Sequence, residues 1–233
     1  MKSLLLLISF LLMFLISFSQ KLSRITFSLG TTLSSFSFIT DQQVIIKISE
    51  DGKVIEWGID MDPRRYNYYP GKLEPFMARV DYYGPEADSI SRGKVKSIGT
   101  CFLTYYGAYE MESKIGKVKS IGNLILDYYT KYEATAPAGK LKSISTILLS
   151  YYSAYENEAF RGKLKSVANN QITYYSTFDE PAIKGKVKSI GGVSYVWYSS
   201  IDSRGYPGTL KSGRMQENIG GITYLISYLS GVH

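Results

Sequence analysis

Ten lysines stand in five pairs of constant internal spacing: Lys94 and Lys96, Lys117 and Lys119, Lys140 and Lys142, Lys163 and Lys165, Lys186 and Lys188. Each pair opens a stretch that closes on an aromatic doublet: Tyr105-Tyr106, Tyr128-Tyr129, Tyr151-Tyr152, Tyr174-Tyr175 and Trp197-Tyr198. Evenly spaced cations attract an extended anionic polymer, and rings at the same interval offer faces for stacking. The candidate binding residues are therefore these ten lysines with Tyr105, Tyr128, Tyr151, Tyr174 and Trp197. A column of acids, Glu110, Glu133, Glu156, Asp179 and Asp202, offsets part of that charge. A blander reading competes: lysine on an exposed strand discourages edge pairing, and tyrosine suits a half-buried sheet.

Catalytic chemistry has much less material. The chain holds one Cys and one His. Cys101 fills the place taken by Leu124, Ile147 and Val193 in parallel stretches, as a packed small hydrophobe would. The single His is His233, and without another there is no Ser/His/Asp or Cys/His arrangement to build; a disulfide framework is excluded and a Cys/His metal site is not expected. The repeated acids stand singly and do not converge in pairs. No Gly-x-x-x-x-Gly-Lys-Ser/Thr spacing marks a phosphate loop, and the turns lack the clustered Asp that calcium needs. No catalytic residue, metal or cofactor is expected.

The lysine pairs belong to a repeat. Gly-Lys-Val-Lys-Ser-Ile at residues 93–98 recurs from Gly116, Gly139, Gly162 and Gly185, each start 23 residues after the last. Partial copies begin at Gly71 and Gly208, and Gly52 reads as a shortened founder. Twelve residues after each central Gly comes the aromatic doublet, then Tyr109, Tyr132, Tyr155, Phe178 or Ile201 with an acid directly behind it. Within a unit, residues 117–121 and 124–132 are rich in β-branched and aromatic types and flank Gly122-Asn123, which suits a tight hairpin turn. Corresponding turns fall at Gly99-Thr100, Ser145-Thr146, Ala168-Asn169 and Gly191-Gly192; the Ser-Thr and Ala-Asn copies lack the residue that tolerates positive φ.

With that turn, Lys117, Lys119, Ile121, Leu124, Leu126 and Tyr128 share one side of the sheet, and Val118, Ser120, Ile125, Asp127 and Tyr129 the other. Both sides are mixed, so neither reads as a dry face, and lysine stems lying over tyrosine rings could replace a conventional interior. Tyr132 is expected to cover the glycine opening the next unit. The fold class is all-β, an antiparallel hairpin array forming an extended meander. A parallel β-solenoid would stack like charges about 4.8 Å apart, and a β-propeller lacks the doubled period it requires. Residues 25–29, 36–39, 44–48 and 53–57 read as further strands, of which residues 20–51 form an N-terminal β cap; residues 52–233 are the repeat domain. Ile219 to Tyr224 echo Ile190 to Tyr195 and predict a last, displaced hairpin.

The Gly-Lys-x-Lys openings and Tyr-Tyr pairs resemble the two-strand repeats of exported bacterial proteins, over roughly residues 52–230. More distantly the units are similar to MORN repeats in length, and to choline-binding and toxin cell-wall-binding repeats in glycine and paired aromatics. The MORN glycine spacing is missing, and Trp197 alone cannot line repeated Trp cages, so no binding residue is carried over.

At the other end, Lys2 precedes an apolar run from Leu4 to Phe18, too short for a membrane span and suited to a signal peptide over residues 1–19, cleaved before Gln20. The mature chain is then expected to have no transmembrane segment and to be periplasmic or extracellular. With 233 residues, a formal charge of +7 and 45% hydrophobic content, the chain can bury a core. The functional expectation is a non-catalytic binding or structural module at the cell envelope, with an envelope polysaccharide or protein as partner and no nucleic acid. A purely structural protein without a ligand, and an envelope glycan hydrolase with an acid pair from distant copies, are the alternatives.

Overall fold

The computed structural model describes residues 20–133 and 136–228; the expected leader at residues 1–19 and the terminal His233 lie outside them. Among the described residues every regular element is a strand. The first five are β1 (Lys21–Ser28), β2 (Thr32–Ile39), β3 (Ile45–Ile48), β4 (Val54–Asp60) and β5 (Leu73–Glu74), each antiparallel to the next. Eleven more follow in sequence order as one antiparallel meander. They are β6 (Val80–Tyr82), β7 (Val95–Ile98), β8 (Cys101–Tyr105), β9 (Val118–Ile121), β10 (Leu124–Tyr128), β11 (Leu141–Ile144), β12 (Ile147–Tyr151), β13 (Leu164–Val167), β14 (Asn170–Tyr174), β15 (Val187–Ile190) and β16 (Val193–Ser194). β17 (Val196–Trp197) pairs with β18 (Leu210–Ser212). The displaced hairpin is present as β19 (Gln216–Ile219) and β20 (Ile222–Ser227). It does not extend the meander: β20 lies parallel to β1 and completes a seven-stranded sheet.

All five turns bend alike. Gly99, Gly122 and Gly191 have φ between 54° and 57°, and Ser145 and Ala168 adopt 50° and 48° without the freedom of glycine. The pairing on either side, such as Ile144 with Ile147 and Val167 with Asn170, holds those two turns in register against their own preference. Removing the strained Cβ should help: Ala168→Gly is expected to stabilise the fold by about 1 kcal/mol, read as a higher midpoint in denaturant.

The register of the ladders overturns the mixed-face expectation. Wherever one hairpin meets the next, the pairing slips by a residue: Thr104 pairs with Ser120 but Tyr105 with Val118, and the same shift recurs at Tyr128, Tyr151 and Tyr174. The second lysine of each unit, for instance Lys119 between Val118 and Ser120, is the extra residue of a β-bulge. A bulge turns the chain over, so Val118 points to the same side as Ile121, Leu126 and Tyr128. Each unit thereby gains a dry face after all. The outward face keeps the small polar column, with Thr104 to Ser120, Ser150 to Ser166 and Thr173 to Ser189 hydroxyl pairs each at 2.6 Å.

The seven-stranded sheet lies across that dry face. Ile25, Phe27, Phe36, Phe38, Ile46 and Ile48 from it share one buried cluster with the inward residues of every repeat from Val95 to Trp197. Bulging also frees backbone N–H groups, and the turns of the covering sheet accept them: Val118 donates to the Gly52 carbonyl at 3.0 Å, Leu141 to Glu50 at 2.8 Å and Val187 to Gly30 at 2.7 Å. Contacts to units as far apart as those of Val118 and Val187 place the N-terminal strands over the array rather than at its end. The approach is close. A Cβ built on Gly30, itself at φ 69°, would lie 2.1 Å from the Trp197 ring.

Candidate functional site

The two rows of aromatic doublets have separate tasks, both internal. The first ring of each doublet sits between the sheets: Tyr128, Tyr151, Tyr174 and Trp197 are buried, and Tyr105 is half-buried. Four of the five reach back within their own unit, Tyr105 to the Val95 carbonyl at 2.9 Å, Tyr128 to Val118 at 2.7 Å, Tyr174 to Leu164 at 2.9 Å and the Trp197 indole N–H to Val187 at 2.7 Å. The second ring reaches forward. Tyr106 donates to the Leu126 carbonyl and Tyr129 to Leu149, both at 2.8 Å, and Tyr152 and Tyr175 repeat the link to Ile172 and Tyr195. Each unit is thus fastened to the next by a tyrosine hydroxyl. Burial pushes these phenols up, Tyr106 to about 12, and holds Tyr128, Tyr151 and Tyr174 well above the usual range.

Tyr151 breaks the pattern, because its hydroxyl is buried with no hydrogen-bond partner among the described residues. An unsatisfied buried hydroxyl costs free energy that a satisfied one does not. Tyr151→Phe should therefore leave stability unchanged or raise it, whereas Tyr174→Phe should cost about 1 kcal/mol; urea midpoints compare them directly.

The lysine pairs are likewise used by the fold. Nζ of the first lysine lies over the ring eleven residues on, Lys94 over Tyr105 at 4.8 Å, Lys117 over Tyr128 at 5.5 Å, Lys140 over Tyr151 at 5.0 Å, Lys163 over Tyr174 at 5.1 Å and Lys186 over Trp197 at 4.5 Å. The same ammonium groups donate to backbone carbonyls: Lys94 to Gly116, Lys140 to Gly162 and Lys163 to Gly185 at 2.6 Å, Lys117 to Asp51 and Lys186 to Leu29 at 2.7 Å. The last two pin turns of the covering sheet. Burial pushes Lys163 down to about 8 and lowers Lys94, Lys117 and Lys186 as well.

The second, bulged lysine stacks on the preceding doublet, as Lys96 does on Tyr83, Lys119 on Tyr106, Lys142 on Tyr129, Lys165 on Tyr152 and Lys188 on Tyr175. It also meets the acid column: Lys119 to Glu110 at 3.4 Å, Lys142 to Glu133 at 2.5 Å, Lys165 to Glu156 at 3.3 Å and, one unit later, Lys211 to Asp202 at 2.5 Å. Lys142 holds the Glu133 carboxyl below the usual range, and Lys211 brings Asp202 down to about 2. Tyr105, Tyr128, Tyr151, Tyr174 and Trp197, expected on a stacking surface, are instead interior, because the bulge faces them toward the second sheet. The ten lysines are brought together with the rings as expected, but as cations that the fold itself employs. Cys101 packs in the core, where burial pushes its thiol up to about 11.

What the lysine and tyrosine rows leave exposed lies at the opposite end of each unit from the two-residue turns. There residues 107–115, 130–133 with 136–138, 153–161, 176–184 and 199–207 belong to a rim of longer connections. Each begins with a tight turn closed by the acid's own N–H: Glu110 to Gly107 at 3.3 Å, Glu133 to Thr130 at 3.1 Å, Glu156 to Ser153 and Asp179 to Ser176 at 3.2 Å, Asp202 to Ser199 at 3.3 Å. In three of them the carboxylate returns to the turn's first residue, Glu133 accepting from the Thr130 N–H at 2.8 Å and Asp179 and Asp202 from Ser176 and Ser199. The third residue of the turn is forced outward. It is Tyr109, Tyr132, Tyr155, Phe178 or Ile201, with relative exposures between 78% and 105%. Tyr132 therefore does not cover the glycine of the next unit; a Cβ there would meet Lys117 instead. The sequence signal for this row is the small or hydroxyl residue two places before each ring and the acid directly after it, a bracket that holds a side chain away from the sheet.

No protein-family model, no curated protein and no solved structure matches the chain.

Proposed function

We propose that the chain is an exported, non-catalytic module of the cell envelope that binds through its rim. The observation carrying this reading is the row Tyr109, Tyr132, Tyr155 and Phe178, four aromatic rings almost wholly in water on turns tied to a sheet. A ring in solvent contributes nothing to the interior, yet the position stays aromatic in four units while its neighbours change: Ala108, Lys131, Ala154 and Thr177 precede it. Solubility alone favours polar residues at such tips. Turns whose backbone is already held in place add little ordering cost when their rings bind, and this favours affinity. The lysine rows support the same division of labour, since their charge is taken up by carbonyls, rings and carboxylates of the fold. The test is retention of the full chain on cell-wall, polysaccharide and lipopolysaccharide fractions. Retention on at least one of them, persisting at raised salt, is expected. Passage through all three would contradict the proposal.

A further inference from the structure

We infer that the rim is a linear subsite array for an extended, uncharged β-1,4-linked glycan, one aromatic ring to each disaccharide. This rests on the binding-module reading above and names its ligand. The spacing comes first. Equivalent rings in successive units are separated by two strands of the meander, which sets a pitch of about 10 Å. That is close to the length of a disaccharide in an extended β-1,4-linked chain. In such a chain alternate sugars present the same face, so a ligand in register meets Tyr109, Tyr132, Tyr155 and Phe178 in an equivalent way. The apolar C–H face of a pyranose suits the negative face of an aromatic ring, and a tyrosine hydroxyl at the ring's edge can bond the sugar's own hydroxyls.

Charge decides against a polyanion. Three of the five bulged lysines beneath the rim are ion-paired with its acids, Lys119 with Glu110, Lys142 with Glu133 and Lys165 with Glu156, and Asp179 feels the charge of Lys188. What remains on the connections is mixed in sign: Lys131, Arg161 and Lys184 stand beside Glu112, Glu158 and Glu180. A row without net positive charge neither concentrates an anionic polymer nor holds an anionic membrane surface. Shape agrees as well. Between two neighbouring rim turns lies a cleft of about 380 Å³ lined by Met111, Ser113, Lys131, Tyr132 and Ala138. A cleft beside a ring gives a sugar substituent somewhere to go. Ile201, in the fifth unit, keeps the apolar contact without a ring and marks the weak end of the row.

The test measures binding of the full chain to chitohexaose and cellohexaose, to polygalacturonate, and to vesicles containing phosphatidylglycerol. Wild type is expected to bind a neutral hexasaccharide. Tyr132→Ala with Tyr155→Ala should weaken it at least about tenfold, and Tyr132→Phe with Tyr155→Phe should stay within about threefold. Thermal midpoints should be unchanged in both pairs, since the rings lie outside the core. Equal binding by the alanine pair, or binding confined to polygalacturonate or vesicles, would overturn the inference. Retention on envelope fractions without binding of either hexasaccharide would remove the glycan assignment and leave the module. Failure on every fraction and every oligosaccharide would remove both.

Discussion

Above about pH 10 the fold is expected to collapse cooperatively, and tyrosine is the reason. Tyr128, Tyr151, Tyr174, Tyr195 and Tyr224 are all at most 6% exposed, and burial raises every one of their phenols, Tyr195 to about 12. The sign follows from which state keeps the proton. In the unfolded chain a phenol ionises near pH 10, while in the folded chain it stays protonated to higher pH. Its contribution is complete below the unfolded value and is lost as pH rises toward the folded one. Each phenol that keeps its proton costs about 1.4 kcal/mol for every pH unit above 10, so Tyr128, Tyr151, Tyr174 and Tyr195 together cost about 6 per unit, and Tyr224 adds in the same direction. Against a total stability of about 5–15 kcal/mol, the midpoint should fall between about pH 11 and 12. Lys163, pushed down to about 8, acts in the opposite sense and adds a shallow rise between pH 8 and 10. Tyrosinate absorbance and near-ultraviolet circular dichroism followed together check this: most buried phenols should ionise in one step with the loss of dichroism. Gradual ionisation with the fold intact would show that these rings are in water.

Tyr128→Ala should be the most damaging single substitution in the seam between the sheets. The ring is fully buried, its hydroxyl donates to Val118, the Tyr106 ring meets it edge-on at 6.0 Å, and Lys117 lies above it. Gly52 of the covering sheet comes so near that a Cβ there would stand 2.3 Å from the hydroxyl oxygen. Truncation empties this part of the seam and costs about 4 kcal/mol. Lys117→Ala loses one bond to the Asp51 carbonyl and one cation–π contact, about 1–2 kcal/mol. Equilibrium unfolding in guanidinium separates the two. A larger loss for Lys117→Ala would mean that the lysine, and not the ring, holds the seam.

The repeat, the hairpins and even the strained turns at Ser145 and Ala168 can be read from residue types, because a 23-residue period and a turn between two β-rich stretches are local signals. The dry face cannot. A strand pattern of period two assigns Val118 to the side away from Ile121, and one bulged residue, Lys119, reverses that assignment without any mark in the composition. The covering sheet is hidden for a different reason. Its strands are legible, but the pairing of β20 with β1 joins residues at opposite ends of the chain, Arg24 with Thr223, and no local pattern encodes a contact of that range. The rim rings stand in plain view as a column. Their direction is the illegible part: a ring followed by a glycine-opened unit suggests cover, whereas the hydroxyl-to-acid bracket around Tyr132 turns it outward.

Hydroxyl-radical footprinting of the full chain, with rates resolved by residue, asks in one experiment whether one aromatic of each unit faces inward and another faces the solvent. Tyr109, Tyr132, Tyr155 and Phe178 should be oxidised at rates near those of free side chains, and Tyr128, Tyr151, Tyr174 and Trp197 should be protected. Protection of the first set with oxidation of the second would contradict both the seam between the sheets and the rim built upon it.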